Sequence, residues 1–431
     1  MARTLDSSSA SFETAFQALL AAKRDAAAEV DQIVATILAE MRARGDAALI
    51  EYTKRFDRVA LTPATLRLSE DEIEQARARA PKEALAALEL ARSRIEDYHQ
   101  RQRPSDSRYT DAAGVVLGAR WRAIEAVGLY VPGGTAAYPS SVLMNALPAR
   151  VAGVERLVMV VPTPDGAINP LVVAAARLAG VDEIYRIGGA QAVAALAYGT
   201  ATIRPVDKIV GPGNAYVAAA KRQVFGTVGI DLIAGPSEIL VVADRDNDPE
   251  WIAMDLLSQA EHDPASQAIL ITDDGDFAGR VAAAVARALE TLPRGAIAGA
   301  SWRDHGAIIL VGDLAEAPAL IDRIAPEHVE LALAEPEIIA DRIRHAGAIF
   351  LGRHTPEAIG DYVAGTNHVL PTARSARFAS GLSVLDFVKR TSILGCDPAS
   401  LAAIGPAAMT LAEAEGLHAH ARSIGLRLNR R

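Results

Sequence analysis

The sequence predicts an α/β protein in which two α/β modules follow a helical region and precede a short tail. Short β-branched runs alternate with alanine-rich helical segments, first from residue 127 and again from residue 239. Such alternation is typical of parallel sheets with helices on both faces. Half of the 431 residues are hydrophobic and 23% are charged, which is enough apolar material for sizeable cores.

The helical region covers residues 11–100. Ala, Glu and Arg dominate it, and apolar residues recur at intervals of three and four, as at Val30, Ile33, Val34 and Ile37. This spacing places them on one face of a helix.

The two modules are predicted element by element from the same alternation. In the first, the strands are residues 157–161, 183–187 and 207–210, and the helices are residues 169–178, 190–198 and 214–225. In the second, the strands are residues 239–242, 268–272, 307–311 and 348–351, and the helices are residues 251–261, 277–292, 315–324 and 336–345. After residue 371 only short segments and one helix, residues 407–423, remain. This tail is too short for a core of its own and should pack on another surface.

Composition excludes several classes of protein. A net charge of −9 argues against a nucleic-acid partner. A single cysteine, Cys396, excludes a disulfide framework and a cysteine-based zinc site. The longest uncharged stretch, residues 126–149, contains three prolines and cannot span a membrane as a helix. Residues 1–12 lack the apolar segment of a signal peptide, so we expect a cytoplasmic protein.

Two glycine turns follow predicted strands, at residues 130–134 and 211–214. Glycine at a strand-to-helix turn lets backbone N–H groups approach an anion. Neither turn completes the dinucleotide fingerprint, because Tyr216 occupies the place of the third glycine in the second turn. On pattern alone, tight turns of an α/β fold explain both better than a ligand site does.

Two polar segments stand in apolar surroundings within the second module. Gln259 and His262 share a helix face and could bind a metal, or the histidine could simply cap a solvated helix end. Glu327 and His328 precede a strand. In an extended strand they would point to opposite faces, whereas in a loop both could face one pocket and act as base and water activator.

Two further polar segments lie near the end of the chain. Asp361 and His368 belong to a glycine-framed run that suits a metal or substrate site, or merely a turn. Glu415 and His420 lie in the last predicted helix. There His418 and His420 cannot share a helix face, so at most one of them serves a given site.

Together these segments resemble the histidinol dehydrogenase family over nearly the whole chain, from about residue 25 onwards. The motifs that carry the resemblance are LYVPGG at 129–134, GPGN at 211–214, AGPSE at 234–238, LLSQAEH at 256–262, PEH at 326–328, GD at 360–361, GTNHVLP at 365–371 and EGLHAH at 415–420.

The resemblance implies a zinc-dependent enzyme that oxidises L-histidinol to L-histidine in the last steps of histidine biosynthesis. Two NAD molecules would be consumed per turnover, through an aldehyde intermediate, with one zinc ion per subunit. The implied roles are zinc ligation by Gln259, His262, Asp361 and His420; catalysis by Glu327 and His328; substrate contact by Ser237, His328, His368, Glu415 and the zinc ligands; and NAD contact by Tyr130, Gln191 and Asn214. His420 would come from the other subunit of a homodimer.

The resemblance also implies the domain organisation, with two incomplete Rossmann-like modules in tandem. We expect a helical arm at residues 1–23 and a discontinuous first α/β domain at residues 24–132 and 238–377. We expect a second, NAD-contacting α/β domain at residues 133–237. The small tail domain, residues 378–431, would pack on the partner subunit.

Two other functions compete with this interpretation. One is a related zinc and NAD dehydrogenase of another polyol or amino alcohol, such as a sulfonated propanediol. The presence of Glu415 and His420 favours histidinol, whose amine and ring need an acceptor and a metal. The other is a non-catalytic, nucleotide-binding paralogue, against which the presence of Glu327 and His328 counts.

Overall fold

The computed structural model describes residues 2–21, 28–133, 138–233 and 235–428. Gly134, Ala234 and the predicted boundary between residues 23 and 24 lie outside the described residues. The strands in the described ranges are β1 (Arg3–Asp6), β2 (Ser107–Thr110), β3 (Val116–Ala123), β4 (Ala126–Tyr130), β5 (Arg156–Val160), β6 (Glu183–Tyr185), β7 (Lys208–Val210), β8 (Gly229–Ile230), β9 (Glu238–Ala243), β10 (Gln267–Thr272), β11 (Ala307–Leu310), β12 (His328–Ala332), β13 (Ala348–Leu351) and β14 (Val388–Gly395).

The helices in the same ranges are α1 (Phe12–Ala21), α2 (Ala28–Arg44), α3 (Asp46–Asp57), α4 (Glu70–Ala78), α5 (Lys82–Gln100), α6 (Pro139–Ala152), α7 (Pro170–Leu178), α8 (Gly189–Tyr198), α9 (Ala215–Val224), α10 (Pro249–Ala260), α11 (Gly275–Leu289), α12 (Gly295–Asp304), α13 (Ala317–Ile324), α14 (Glu337–Ala340), α15 (Glu357–Tyr362), α16 (Pro398–Ala414) and α17 (His418–Leu428). None of these described helices is long and apolar enough to cross a membrane.

Two parallel sheets confirm the predicted α/β fold with two modules. The first has the strand order β1-β11-β10-β9-β12-β13, and the second has the order β6-β5-β4-β7-β8. Every strand pairing in both sheets is parallel. Helices α10–α12 cover one face of the six-stranded sheet, and α1, α13 and α14 cover the other. Both sheets are thereby buried, as their continuous apolar strands require.

The sheets divide the chain differently from the expected domain boundaries. Strand β4, which lies before the expected boundary at residue 132, is the central strand of the five-stranded sheet. Helices α2 and α3 pack on one face of that sheet with α8 and α9, and α4 and α5 pack on the other with α6 and α7. The apolar stripe of a helix fits either sheet, so the sequence does not reveal which sheet it covers.

The expected helical arm at residues 1–23 also contains a strand. Strand β1 pairs with β11 at the edge of the six-stranded sheet, and Leu5 is buried in the core together with Phe16 and Leu19 of α1. Four residues with one buried position carry too short a pattern to show the strand period.

The end of the chain also differs from prediction. Strand β14 pairs antiparallel with β3, which in turn pairs with β2, and the pattern of the sequence did not reveal this small sheet. The final predicted helix is two helices, α16 and α17, which pack against each other. The break lies at Gly416, whose φ of 75° is the left-handed conformation that glycine tolerates best.

A buried ion pair holds the second glycine turn in place. Lys221 of α9 pairs with Asp231, and both side chains are almost fully buried. Lys221 Nζ also donates to the carbonyl oxygen of Gly211 at 2.9 Å, and the Gly211 N–H donates to Asp231 Oδ2 at 2.7 Å. The turn after β7 is thus tied to a charge pair beneath it.

We expect Lys221→Met to destabilise the protein by about 3–5 kcal/mol, because it leaves the Asp231 carboxylate buried without a counter-charge. The free energy of unfolding, measured in urea, checks this. The double variant Lys221→Met/Asp231→Asn removes both charges, so its free energy of unfolding should fall clearly less than that of Lys221→Met. Equal losses in the single and double variants would contradict the role of the ion pair.

Candidate active site

A cluster of polar side chains lies at the end of the six-stranded sheet where β9 and β12 begin. His328 is the first residue of β12, and Glu238 is the first residue of β9. Gln259, near the end of α10, and Asp361 of α15 approach from the helices beside this edge. Four elements that are distant in sequence therefore contribute to one site.

His328 is buried and its orientation is fixed by the backbone of the neighbouring strand. Its Nδ1 atom lies 2.9 Å from the carbonyl oxygen of Glu238 and 3.1 Å from Gln259 Nε2. A carbonyl oxygen only accepts hydrogen bonds, so Nδ1 carries the proton and Nε2 offers its lone pair. Burial lowers the pKa of His328, although the charge of Asp361 opposes this shift. The ring is thus neutral near pH 7, with a free base at Nε2.

Glu327 and His328 face the same site, which decides between the alternatives that the sequence left open. Glu327 lies just before β12, and its Oε2 atom is 3.7 Å from His328 Nδ1. The same oxygen accepts the backbone N–H of Glu238 at 2.9 Å. Burial raises the pKa of Glu327 well above its usual value, and the charge of Glu238 adds to the rise. A raised pKa makes the Glu327 carboxylate a stronger base for proton transfer.

Three side chains of this cluster could hold a metal ion together. One ligand atom each from His328, Glu357 and Asp361 lies within 4.8 Å of the others, and Glu357 Oε1 is 3.5 Å from His328 Nε2. Burial raises the pKa of Glu357 to about 8, followed by repulsion from Asp361. Nitrogen and carboxylate oxygen donors are ligands that Zn²⁺ accepts, so the donor set fits this ion.

Glu357 is the residue of this group that the sequence analysis missed. It precedes Asp361 by one helical turn in α15, so the two carboxylates share a helix face. The polar segment predicted from the sequence begins at Gly360 and leaves out the glutamate one turn earlier. The spacing Glu-x-x-x-Asp was the signal that could have revealed it.

His368 joins the cluster through a loop. Its Nδ1 atom lies 3.2 Å from the carbonyl oxygen of Asp361 and 3.8 Å from Asp361 Oδ1. Its Nε2 atom lies 3.2 Å from the hydroxyl of Ser141 in the first turn of α6. Burial lowers the pKa of His368, so this ring is also neutral near pH 7. The loop is thereby attached to α6 of the other module.

The remaining expected site residues take different positions. Ser237 directly precedes β9 and is half-buried, and His262 is exposed just beyond α10. Electrostatic repulsion from His262 contributes, after burial, to the lowered pKa of both His328 and His368, so the His262 ring lies near the cluster. Glu415 and His420 are exposed beside the break between α16 and α17. Among the described residues of this chain, no hydrogen bond or ion pair joins either of them to the cluster.

The three residues expected to contact NAD line one cavity. Tyr130, Gln191 and Asn214 all border a cavity of about 640 Å³ at the carboxyl ends of the strands of the five-stranded sheet. This edge is where parallel α/β sheets bind ligands. The amide oxygen of Gln191 is buried there and has no hydrogen-bond partner among the described residues. A hydroxyl or amide group of a bound nucleotide would satisfy it.

Helix starts contribute to the same cavity. Gly189 and Ala190 open α8, and Asn214 caps the start of α9, where its side chain accepts the N–H groups of Tyr216 and Val217. Helix N-termini favour anions, including the pyrophosphate of a dinucleotide. The helix starts and the unpaired amide of this cavity therefore suit NAD.

The chain is similar to histidinol dehydrogenases along its whole length. The model of the histidinol dehydrogenase family matches residues 20–428. The histidinol dehydrogenase of Rhodospirillum rubrum is 68% identical over 427 residues, which are 99% of this chain and 98% of that protein. That of Ruegeria pomeroyi is 66% identical over 430 residues, which are 100% of this chain and 99% of that protein. The chain belongs to the histidinol dehydrogenase family.

A solved structure supports the same assignment. The crystal structure of histidinol dehydrogenase from Elizabethkingia anophelis matches with a TM-score of 0.94 at 38% identity, covering 99% of this chain and 98% of that chain. Membership confirms the prediction of an NAD-dependent histidinol dehydrogenase, an oxidoreductase of histidine biosynthesis. The relatives give no support to the alternative, a dehydrogenase of another polyol.

We expect Gln191→Leu to raise the Kd for NAD about tenfold, because the loss of one buried hydrogen bond is worth roughly 1–1.5 kcal/mol. Calorimetric titration with NAD measures this. Thr36→Val is the matched control, since Thr36 lines the same cavity but its hydroxyl already donates to the carbonyl of Gln32. An unchanged Kd for Gln191→Leu, or the same rise in the control, would contradict this contact.

Proposed function

We propose that each subunit binds one zinc ion at the cluster around His328 and oxidises L-histidinol to L-histidine with two NAD molecules in succession. The observation that carries this proposal is the convergence of His328, Glu357 and Asp361 within 4.8 Å, with Glu327 beside His328. In this proposal the cluster supplies both metal ligands and proton-transfer groups.

The residues that would hold zinc are Gln259, His262, Asp361 and His420 of the partner subunit. The first three lie in or beside the cluster. Glu357 is a further candidate ligand because its carboxylate belongs to the same group. When bound, zinc would orient the amine and imidazole nitrogens of histidinol and polarise the reacting oxygen. Ser237, His368 and Glu415 would contact the substrate from its other sides.

His328 would act as the general base for the alcohol. Its Nδ1 proton is directed at the Glu238 carbonyl, so Nε2 is the atom that accepts the hydroxyl proton. Burial keeps the ring neutral and therefore able to accept that proton. Such a base contributes roughly 10²–10⁴-fold to a rate.

Glu327 would activate water in the second oxidation. The aldehyde must gain an oxygen atom before a second hydride can leave, and a water molecule supplies it. The single thiol, Cys396, is exposed next to β14 in the tail, away from every motif, which disfavours a covalent thiol route. A buried carboxyl with a raised pKa suits the removal of a proton from water.

The cavity bordered by Tyr130, Gln191 and Asn214 would bind NAD. A short stretch of chain connects this cavity to the cluster. Gly133 lines the cavity, and Ser141 contacts His368 of the cluster. The two modules thus supply the cofactor and the substrate chemistry respectively.

We further propose a cytoplasmic homodimer in which the tail of each subunit completes the other's site. His420 and Glu415 are exposed in the tail and make no contact with the cluster of their own described chain. Leu394, Leu411 and Leu426 of the tail are also exposed. Exposed apolar side chains on the tail are suited to burial against another subunit.

The test of the proposed function is a count of NADH formed per L-histidinol consumed by the zinc-loaded protein. We expect two NADH per histidinol, loss of activity on chelation and recovery with zinc. One NADH with accumulation of the aldehyde would contradict the four-electron course, and activity that survives complete removal of metal would contradict the zinc site.

We expect Glu327→Gln to slow oxidation of the aldehyde more than oxidation of the alcohol, because an amide cannot take a proton from water. The loss should lie in the range of about 10²–10⁴-fold. Rates measured separately with L-histidinol and with L-histidinal check this. Equal losses in both oxidations would refute water activation by Glu327.

We expect His420→Asn to lower zinc content and activity, and to regain part of its activity when mixed with His328→Ala. A mixed dimer would contain one site with neither substitution, if each site takes His420 from its partner. His418→Asn is the matched control, because His418 lies on the same helix but on another face, and it should keep its zinc. No recovery in mixed dimers whose formation is demonstrated would rule out the shared site.

A further inference from the structure

Two side-chain contacts at successive positions join helix α10 to strand β12. The first is the contact of Gln259 with His328, at 3.1 Å between Nε2 and Nδ1. The second lies further into the sheet along β12 and joins Asp255 to Glu330, whose side chains share a hydrogen bond. The proposed catalytic histidine and the proposed zinc ligand Gln259 form the outer contact. The proposed zinc binding and proton transfers make no use of the inner contact.

The spacing of the two contacts matches the geometry of the two elements. Residues four apart in a helix are separated by about 6 Å along its axis. Residues two apart in a strand are separated by about 6.6 Å on the same face. The helix runs antiparallel to the strand, so that Gln259 lies opposite His328. One helical turn earlier, Asp255 lies opposite Glu330. If the inner contact is fixed, the outer contact is fixed with it.

Glu330 also holds the helix that carries the other half of the metal group. Its Oε2 atom accepts the backbone N–H of Glu357 at 3.1 Å, at the first residue of α15. Glu357 and Asp361 both belong to this short helix. The side chain of Ser258, next to Gln259, approaches Glu357 Oε2 at 3.4 Å. One buried carboxyl group thus contacts both helices that contribute to the site.

A buried carboxyl group is an unusual choice for stability alone. Glu330 is only 2% exposed, and its neighbours on the same face of the sheet belong to an apolar core formed by α10 and α11. Replacing buried polar pairs by apolar residues of similar volume is often neutral or stabilising. An apolar side chain, however, could not accept the Glu357 N–H and form a hydrogen bond with Asp255 at the same time.

We propose that Asp255 and Glu330 are positioning residues for the metal site, which fix α10 and α15 on β12 so that Gln259, Glu357 and Asp361 converge beside His328. Neither residue needs to touch the substrate. The inference rests on the proposed zinc site and adds to it the element that sets its geometry.

The test compares Glu330→Gln with Glu330→Leu in the full-length protein. Glutamine keeps an acceptor for the Glu357 N–H and an amide group that can form a hydrogen bond with Asp255, whereas leucine has the volume but neither group. We expect Glu330→Leu to weaken zinc binding by about 10–100-fold, as is typical when partners of metal ligands are removed. Glu330→Gln should stay within a few-fold of wild type. Competition with a chromophoric chelator measures the affinity without using activity.

Two further measurements separate positioning from loss of stability. Asn247→Ala is the control, because the Asn247 side chain donates to the Ala332 carbonyl at 2.7 Å, at the opposite end of β12. It should lower the free energy of unfolding but leave zinc affinity unchanged. At saturating zinc, the kcat of Glu330→Leu should remain below that of wild type. The visible spectrum of its Co²⁺-substituted form should also differ from that of wild type.

The outcomes distinguish this inference from the function on which it rests. A wild-type chain that binds no zinc would refute the proposed metal site. Zinc binding by wild type, with the same affinity and Co²⁺ spectrum in Glu330→Leu, would refute only the positioning role. An equal loss of zinc affinity in Asn247→Ala would also refute it. If Glu330→Leu does not fold, Asp255→Leu removes the inner contact alone and should weaken zinc binding in the same way, and wild-type affinity in that variant would overturn the inference.

Discussion

The hydrogen bond between His328 Nδ1 and the carbonyl oxygen of Glu238 is the interaction on which the polar site depends. It is made possible by the parallel pairing of β12 with β9, which sets His328 opposite Ile239 and next to the carbonyl before it. The backbone of one strand thus fixes the tautomer of a histidine on the next. Because the acceptor belongs to the main chain of a buried sheet, the ring cannot rotate without losing this bond, and Nε2 stays directed at Glu357 and Asp361.

The two modules place their sites at opposite ends of their strands. In the five-stranded sheet, the cavity lies at the carboxyl ends of the strands, where the starts of α8 and α9 favour an anion. In the six-stranded sheet, the cluster lies where β9 and β12 begin, beside the end of α10. Helix C-termini favour cations, which suits a metal ion near Gln259. The partial charges at the helix ends therefore suit a dinucleotide in the five-stranded module and a metal ion in the six-stranded module.

Burial of several carboxyl groups in one region has a clear electrostatic consequence. Burial raises the pKa of Glu327, Glu330 and Glu357, and the carboxylates nearby raise these pKa values further. Such an arrangement is costly unless protons or cations compensate the charge. A bound metal ion would reduce this cost. The site is thus arranged to gain free energy when a metal ion binds, and the rest of the sheet keeps the carboxyl groups together.

The sequence by itself determined the α/β class, most strands and helices, and the family, because periodicity and ordered motifs are local properties of the chain. It also named Tyr130, Gln191 and Asn214, which the structure brings to one cavity. Only the tertiary structure decided that β4 belongs to the five-stranded sheet, that β1 and β14 exist as strands, and that Glu357 and Glu330 belong to the site. The reason is physical: strand pairing and the meeting of α10, β12 and α15 depend on contacts between residues far apart in sequence. A short segment such as β1 or an isolated glutamate carries no local pattern that reveals its partner.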